Sequence, residues 1–327
     1  MASRLSSVRS FAVAHPRLLV VVQLTVLAIF FGFVGWAVHG SFHAAGNDLR
    51  NADPVDFVLA CVAVAAYYLL FVLGWIRILA DWDVHLSYPA ALRAEMVSML
   101  AKYVPGGVWT PAARVVAARR AGVTDGALVT ASMLLEAGIS AVAGVIVFVV
   151  SLAWVKGVDA PIAPLVAFGI VVAVLLHPRV FQPLASKVLR RLGYDELPPL
   201  RGSTMGVLLV FYSGTWIIGG IGLWLLLRAV GSHPPVSSIV FLGGVSAVGA
   251  IVAVLSVFAP SGLGPREASM YGLMLAVAGP GAALGATVLN RVAITLVEML
   301  LLVVGGLLLR SHGDEDAVEP RLRDAEA

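Results

Sequence analysis

Several ionisable residues stand in stretches that are otherwise apolar. Glu136 lies within SMLLEAGIS, and Arg291 and Glu298 lie within the run 282–309. Arg266 and Glu267 directly follow Pro260-Ser261-Gly262-Leu263-Gly264-Pro265, and Lys102 precedes Val104-Pro105-Gly106-Gly107. A charge in an apolar stretch is costly, so such a residue faces a bundle interior or a cavity and marks a path for a polar group. Arg291 and Glu298 are seven residues apart and share one helix face. Glu136 and Arg291 are 155 residues apart and have two readings. One is a buried Glu136–Arg291 ion pair that fixes helix packing. The other is a polar route for a charged group; both stay open for Glu136 and Glu298, while Arg266, beside a break, is read as functional.

The breaks carry chemistry of their own. Proline removes a backbone donor and glycine admits unusual backbone angles, so each cluster ends one helix and starts another. A helix starting after Gly107 or Gly264 turns free N–H groups and the positive end of its dipole inward, an anion site in the making. Lys102, Arg114 and Arg266 add full charges there, and arginine suits phosphate. Arg119 and Arg120 read as orientation determinants at the membrane margin, and Tyr103, Trp109 and Trp154 as interfacial anchors. His39, His43 and His233 have no metal-binding spacing, and Cys61 is the single cysteine, so neither a metal nor a cofactor is expected. Asp48, Asp53 and Asp56 invite the idea of a catalytic acid, but capping of the helix that starts near Asp56 is the simpler reading.

Whatever positions these residues is a membrane bundle. Of 327 residues, 60% are hydrophobic and 13% charged, and the mean hydropathy is +0.95. Soluble domains carry about 25% charged residues, so an ordinary soluble enzyme and a disordered chain are both excluded. Six segments approach the roughly 20 apolar residues of a transmembrane helix: 18–38, 56–80, 127–154, 161–177, 203–227 and 282–309. Two more regions, 88–121 and 236–279, are apolar but broken. Each is expected to be a re-entrant hairpin of two short helices, covered by protein or by a water-filled cavity. The fold class is thus an all-α polytopic membrane protein with about six full spans plus two broken hairpins.

Lysine and arginine set the orientation. Most of the 22 such residues fall on one side, before the first span, after the second and fourth, and after the last. Arg50, Lys156 and Arg228 alone occupy loops on the other. Both termini (residues 1–17 and the charged, disordered tail 310–327) are therefore expected in the cytoplasm of a cell-membrane protein. The net charge of +3 belongs to this bias and not to nucleic-acid binding. The order span, span, broken hairpin, span occurs twice, over 18–154 and 155–309. Each unit crosses three times, so the second is inserted upside down. Interrupted segments at matching places in inverted halves point to a transport site near the midplane.

Lys102-Tyr103-Val104-Pro105-Gly106-Gly107-Val108-Trp109, with Arg114 and Gly122, resembles the first signature of the lysylphosphatidylglycerol synthase transmembrane region, or flippase-like domain. Pro260 to Ala268 is similar to its second signature, with Ser261 for the usual glycine and Pro265 before the arginine. Asn290-Arg291 with Thr295 resembles its last-span motif. The resemblance runs over essentially the whole chain and implies a lipid-translocating module. In bifunctional members a fused soluble domain makes the aminoacylated lipid. The short tail here leaves no room for one, so a separate lipid- or glycan-synthesising enzyme is the implied partner.

The expected function is therefore translocation of the polar headgroup of an anionic or zwitterionic phospholipid, or of a polyprenyl-phosphate-linked lipid. Its phosphate would bind near Lys102, Arg114 and Arg266, and its head would cross a cavity lined by Glu136, Glu267, Arg291 and Glu298. No ATP-binding motif is present, so movement is downhill or ion-coupled, with Glu136 as the candidate proton carrier. The alternatives are a small-solute secondary transporter and a polyprenyl-phosphate-sugar glycosyltransferase. A lateral opening to lipid favours the first reading over the solute transporter.

Overall fold

The computed structural model describes residues 51–101, 109–155, 158, 162–191, 198–256, 259 and 262–308. The apolar run 18–38, the first break from Lys102 to Gly107, Pro260 and the two termini lie outside them. The helices are α1 (Pro54–Asp81), α2 (Tyr88–Ala101), α3 (Trp109–Arg120), α4 (Gly126–Ser151), α5 (Ile162–Leu176), α6 (Pro178–Arg191), α7 (Gly202–Ala229), α8 (Ile239–Leu255), α9 (Pro265–Met274) and α10 (Pro280–Leu308). Among the described residues there is no strand.

Local chemistry sets the helix starts. The Asp53 side chain accepts hydrogen bonds from the N–H groups of Val55 and Asp56, with Pro54 in the first turn. Asp125 caps α4 in the same way through Ala127 and Leu128. The capping reading of Asp53 thus holds, and Asp56 is bound to Arg228 at 3.2 Å.

Length decides which helices can cross a bilayer. α1, α4, α7 and α10 hold 28, 26, 28 and 29 residues. At about 1.5 Å per residue each exceeds the roughly 30 Å hydrocarbon core. α8 with the short 3-10 turn before it reaches 20 residues and also suffices. The expected span 161–177 is α5, whose 15 residues fall short of a full crossing and meet α6 at 70° directly after it. Pro178 explains the bend, since the residue before a proline is pushed out of helical conformation. α2, α3 and α9, with 14, 12 and 10 residues, are too short to cross.

Contacts along the helices fix their directions. α1 and α7 pack along their length and are tied at both ends. The Asp53 N–H donates to the Ala229 carbonyl at 2.8 Å beside the Asp56–Arg228 pair. At the other end Asp81 accepts from the Arg201 N–H and the Thr204 hydroxyl, both at 2.8 Å. The two helices are therefore antiparallel. α4 runs with α7, because Tyr212 meets Glu136 and the Trp216 indole donates to the Ser140 carbonyl at corresponding heights. α10 runs with α1: its early Gly285 lies against Val230, at the end of α7. The chain thus returns through α2–α3 to the end of the bundle that it left, and does so again through α8–α9.

Small residues let the central helices meet backbone to backbone. A β-carbon on Gly220 of α7 would lie 2.2 Å from the Ile239 carbonyl oxygen, and one on Gly243 of α8 would lie 2.7 Å from that of Trp216. Gly144 and Gly244 allow the same between α4 and α8, against Ala247 and Phe148. Close approach through small residues is the usual solution where lipid removes the hydrophobic drive for helices to associate.

Candidate functional site

α2 and α3 form a two-helix arm with two unlike faces. At about 100° per residue, Glu95 and Ser98 of α2 and Arg114 of α3 point to one side. Arg93, Val97 and Ala101, with Trp109, Val116 and Arg120, point to the other. The first face turns into the bundle and the second lines an open cavity of about 980 Å³, floored by alanines and valines.

On the inner face a single guanidinium is held between two carboxylates. Arg114 forms an ion pair with Glu95, and its Nη1 donates to a Glu136 carboxylate oxygen at 2.7 Å. All three residues are at most 4% exposed. Arg114 Nε also donates to the Ser98 hydroxyl at 3.3 Å, and its charge lies 5.0 Å from the centre of the Trp75 ring, a cation–π contact. Trp75 is itself fixed by donating to the Ser132 hydroxyl at 2.8 Å. The second oxygen of Glu136 accepts from the Tyr212 hydroxyl at 3.3 Å. Four elements (α2, α3, α4 and α7) therefore converge on one charge cluster. Tyr212 and Glu136 each stand eleventh in their helices, about 16 Å from the end, near the middle of a bilayer-spanning length.

A second carboxylate lies in the other half of the bundle. Glu298 of α10, 1% exposed, accepts from the Tyr68 hydroxyl of α1 at 2.5 Å. A chain of edge-to-face and tilted aromatic contacts joins the two places: Tyr68 to Tyr67 at 5.5 Å, Tyr67 to Phe71 at 5.6 Å, and Phe71 to Tyr212 at 4.9 Å. Tyr67 also lies within electrostatic reach of Arg266, Glu136 and Glu95.

The second break is partly described. Gly262 and Gly264 have φ of +67° and +97°, which a β-carbon would strain. Gly262 also presses on Ala253, 2.3 Å from where a β-carbon would stand. α9 then starts at Pro265, and the side chain of its second residue, Arg266, packs near Gly249. Arg266 has no ion-pair partner among the described residues. The Glu267 carboxylate accepts from the Gly264 N–H at 2.6 Å and lies 3.5 Å from Arg291.

Two expectations are corrected by these contacts. Glu136 does not pair with Arg291. Arg114 takes Glu136 because the α2–α3 arm brings a buried guanidinium to it, and Arg291 turns to Glu267 instead. The start of α9 does not present all its N–H groups to an anion, because Glu267 occupies that of Gly264, and Arg114 is likewise already engaged. Lys102, Pro105, Gly106, Gly107 and Pro260 lie outside the described residues.

Glu95, Tyr68 and Tyr212 were not foreseen. Glu95 carried a signal: it is an acid followed by an apolar stretch, MVSML, in a segment read as membrane-embedded. The tyrosines carried none, since a phenol in an apolar helix reads as packing until its carboxylate partner is known. Among the described residues no three metal-ligating side chains gather at one point.

The lysylphosphatidylglycerol synthase TM region family matches residues 20–302, and the chain belongs to that family. It is thus a multi-pass membrane protein of a lipid-related family. No individual curated protein matches it.

Proposed function

We propose that the protein is a lipid translocator, moving the polar headgroup of an anionic or zwitterionic phospholipid, or of a polyprenyl-phosphate-linked lipid, across the cell membrane. The observation that carries this reading is the buried Glu95–Arg114–Glu136 cluster, held at mid-height on a short helical arm in a family whose name is that of a lipid synthase. A soluble headgroup crossing apolar surroundings needs such a line of fixed charges and hydrogen-bonding groups. Arg266, Arg291, Glu267 and Glu298 continue it into the second half of the bundle.

The two halves are read as inverted repeats. If α1, α2, α3 and α4 are exchanged with α7, α8, α9 and α10, each packing relation among them turns into another that exists. The α1–α7 contact maps onto itself, α4–α7 onto α1–α10, α4–α8 onto α2–α10, and α2–α3 onto α8–α9. The exchange also reverses direction, since α4 and α7 run one way and α1 and α10 the other. The two tyrosine–carboxylate pairs, Tyr212–Glu136 and Tyr68–Glu298, are images of one another in the same sense. This symmetry supports a midplane site where the two broken arms face each other. The arms are then re-entrant, from the cytoplasmic side for α2–α3, with both termini cytoplasmic by charge bias.

The cavity on the outer face of α2–α3 favours lipid over a small solute, since it is open over an apolar floor with Arg93 and Arg120 at the base of the arm. A separate lipid- or glycan-synthesising enzyme supplies the cargo, and the protein itself is a transporter, not a catalyst. The test is headgroup translocation in proteoliposomes. Arg266→Ala is expected to abolish it, and an unchanged rate in that variant overturns the mechanism.

A further inference from the structure

The central cluster has an odd charge sum. One guanidinium, which stays protonated in proteins, faces two carboxylates, so the fully ionised cluster carries a charge of minus one. An uncompensated charge buried at mid-membrane is costly and is neutralised by taking a proton. The groups facing Glu136 are Arg114 of α3, Glu95 of α2 and Tyr212 of α7, and Tyr67 of α1 lies near both carboxylates. α5 and α8, which also pack on α4, contain no titratable residue. α10, which packs on α2, brings Arg291 and Glu298, held by Glu267 and Tyr68. Among the described residues no second cation bonds to the cluster; Arg266 lies within electrostatic reach of the neighbouring Tyr67, but Arg114 is the cation that acts on Glu136.

We propose that Glu95 and Glu136 form a proton-binding pair that controls the availability of Arg114 to a lipid phosphate. At rest one carboxylate is protonated, the other pairs with Arg114, and the cluster is neutral. A second proton converts the remaining carboxylate to the acid, and the freed guanidinium takes the phosphate monoanion of the headgroup. The cluster is neutral again. No covalent bond other than the O–H bond of this second proton forms or breaks, and each phosphate crosses with one proton. For an anionic headgroup of charge minus one, transport is thus electroneutral and driven by a pH gradient. This proposal rests on the translocator reading and adds its coupling ion, its stoichiometry and the phosphate ligand. The geometry that supports it is the competition itself: among the described residues, the two anions that pair with Arg114 are groups that protons can discharge.

The test uses the full chain in phosphatidylcholine vesicles with a trace of headgroup-labelled phosphatidylglycerol. At zero membrane potential, a gradient of one pH unit, acid on the side the lipid leaves, is expected to raise the rate up to about ten-fold, the slope of a one-proton linkage. A membrane potential at equal pH is expected to leave the rate unchanged. Glu95→Gln with Glu136→Gln frees Arg114 permanently, so translocation there should lose its pH dependence and become sensitive to potential. A second measurement does not need translocation or that double variant. Infrared difference spectroscopy of the wild-type protein against Glu136→Gln should show a buried carboxylic-acid C=O band at neutral pH that is lost in the variant, where Arg114 and Glu95 pair alone. Translocation indifferent to the pH gradient, or a wild-type spectrum lacking that band, overturns the coupling and leaves the translocator reading standing. A wild-type protein that moves no labelled lipid under any gradient overturns the translocator reading instead.

Discussion

Arg114 and Glu136 meet at 2.7 Å in the middle of the bundle, although they belong to different helices and one of them sits on an arm too short to cross a membrane. Their contact, with Glu95 on the other side of the guanidinium, makes the α2–α3 arm part of the bundle core. The arm's inner face is bonded to the bundle through charges, while its outer face is left to the cavity. Any movement that draws the arm away must first dissolve this cluster, which gives the cluster control over the arm.

Removing the guanidinium should therefore be far more damaging than neutralising the whole cluster. Arg114→Ala leaves two buried carboxylates facing each other and is expected to cost about 3–5 kcal/mol. The triple change Glu95→Gln, Arg114→Met, Glu136→Gln removes all the charges together and should recover most of that loss. Thermal unfolding midpoints in detergent report the stability, and lipid translocation should stay absent in both proteins. A triple variant as unstable as Arg114→Ala would mean that the arginine packs the arm by shape and not by charge.

The two tyrosine–carboxylate pairs should differ in weight. Tyr68 donates to Glu298 at 2.5 Å, so Tyr68→Phe removes a short bond to a fully buried carboxylate and should cost about 1–3 kcal/mol. Glu136 keeps Arg114 when Tyr212 loses its hydroxyl at 3.3 Å. Tyr212→Phe is accordingly expected to cost no more than about 1 kcal/mol. Denaturation of the two variants side by side checks the order.

The sequence discloses the frame of this molecule more readily than its centre. The long spans, the two Pro/Gly breaks and the caps at Asp53 and Asp125 are local features, written in runs of apolar residues and in single side chains. Glu136 and Glu298 were legible because a charge in an apolar run has few meanings. Their partners were not, because pairing depends on which helix faces which. Spacing suggested Arg291 for Glu136, whereas the arm delivers Arg114, and Arg291 goes to Glu267 at the second break. Glu95 escaped because α2 is not apolar enough to read as a full span. The bend between α5 and α6 was written in Pro178, but hydropathy alone gives no sign of its angle.

Glycines of the same helix should respond oppositely to an added methyl group. A β-carbon at Gly220 would lie 2.2 Å from the Ile239 carbonyl and 2.5 Å from the Gly243 nitrogen, both backbone atoms of α8. Gly220→Ala must push α7 and α8 apart and should cost about 1–3 kcal/mol. Gly214, one and a half turns earlier, has nothing within 4 Å of that position. Gly214→Ala should be neutral or gain up to about 1 kcal/mol from helix propensity. Equal midpoints for the two variants would contradict the tight α7–α8 contact.

Accessibility of introduced cysteines tests the course of both arms. The chain has one cysteine, Cys61, so Cys61→Ala gives a clean background. His85 and Thr124 flank the α2–α3 arm, and His233 and Gly279 flank α8–α9; all four are exposed. If each arm returns to the side from which it enters, His85→Cys and Thr124→Cys must react with a membrane-impermeant maleimide from one side of the membrane. His233→Cys and Gly279→Cys must react from the other. The charge bias assigns the first pair to the cytoplasm, so in intact cells only the second pair should label, and the first should label after lysis. Labelling of His85→Cys and Thr124→Cys from opposite sides would mean that α2–α3 crosses the membrane. The second half would then lose its inverted relation to the first, and the shared midplane site would lose its basis.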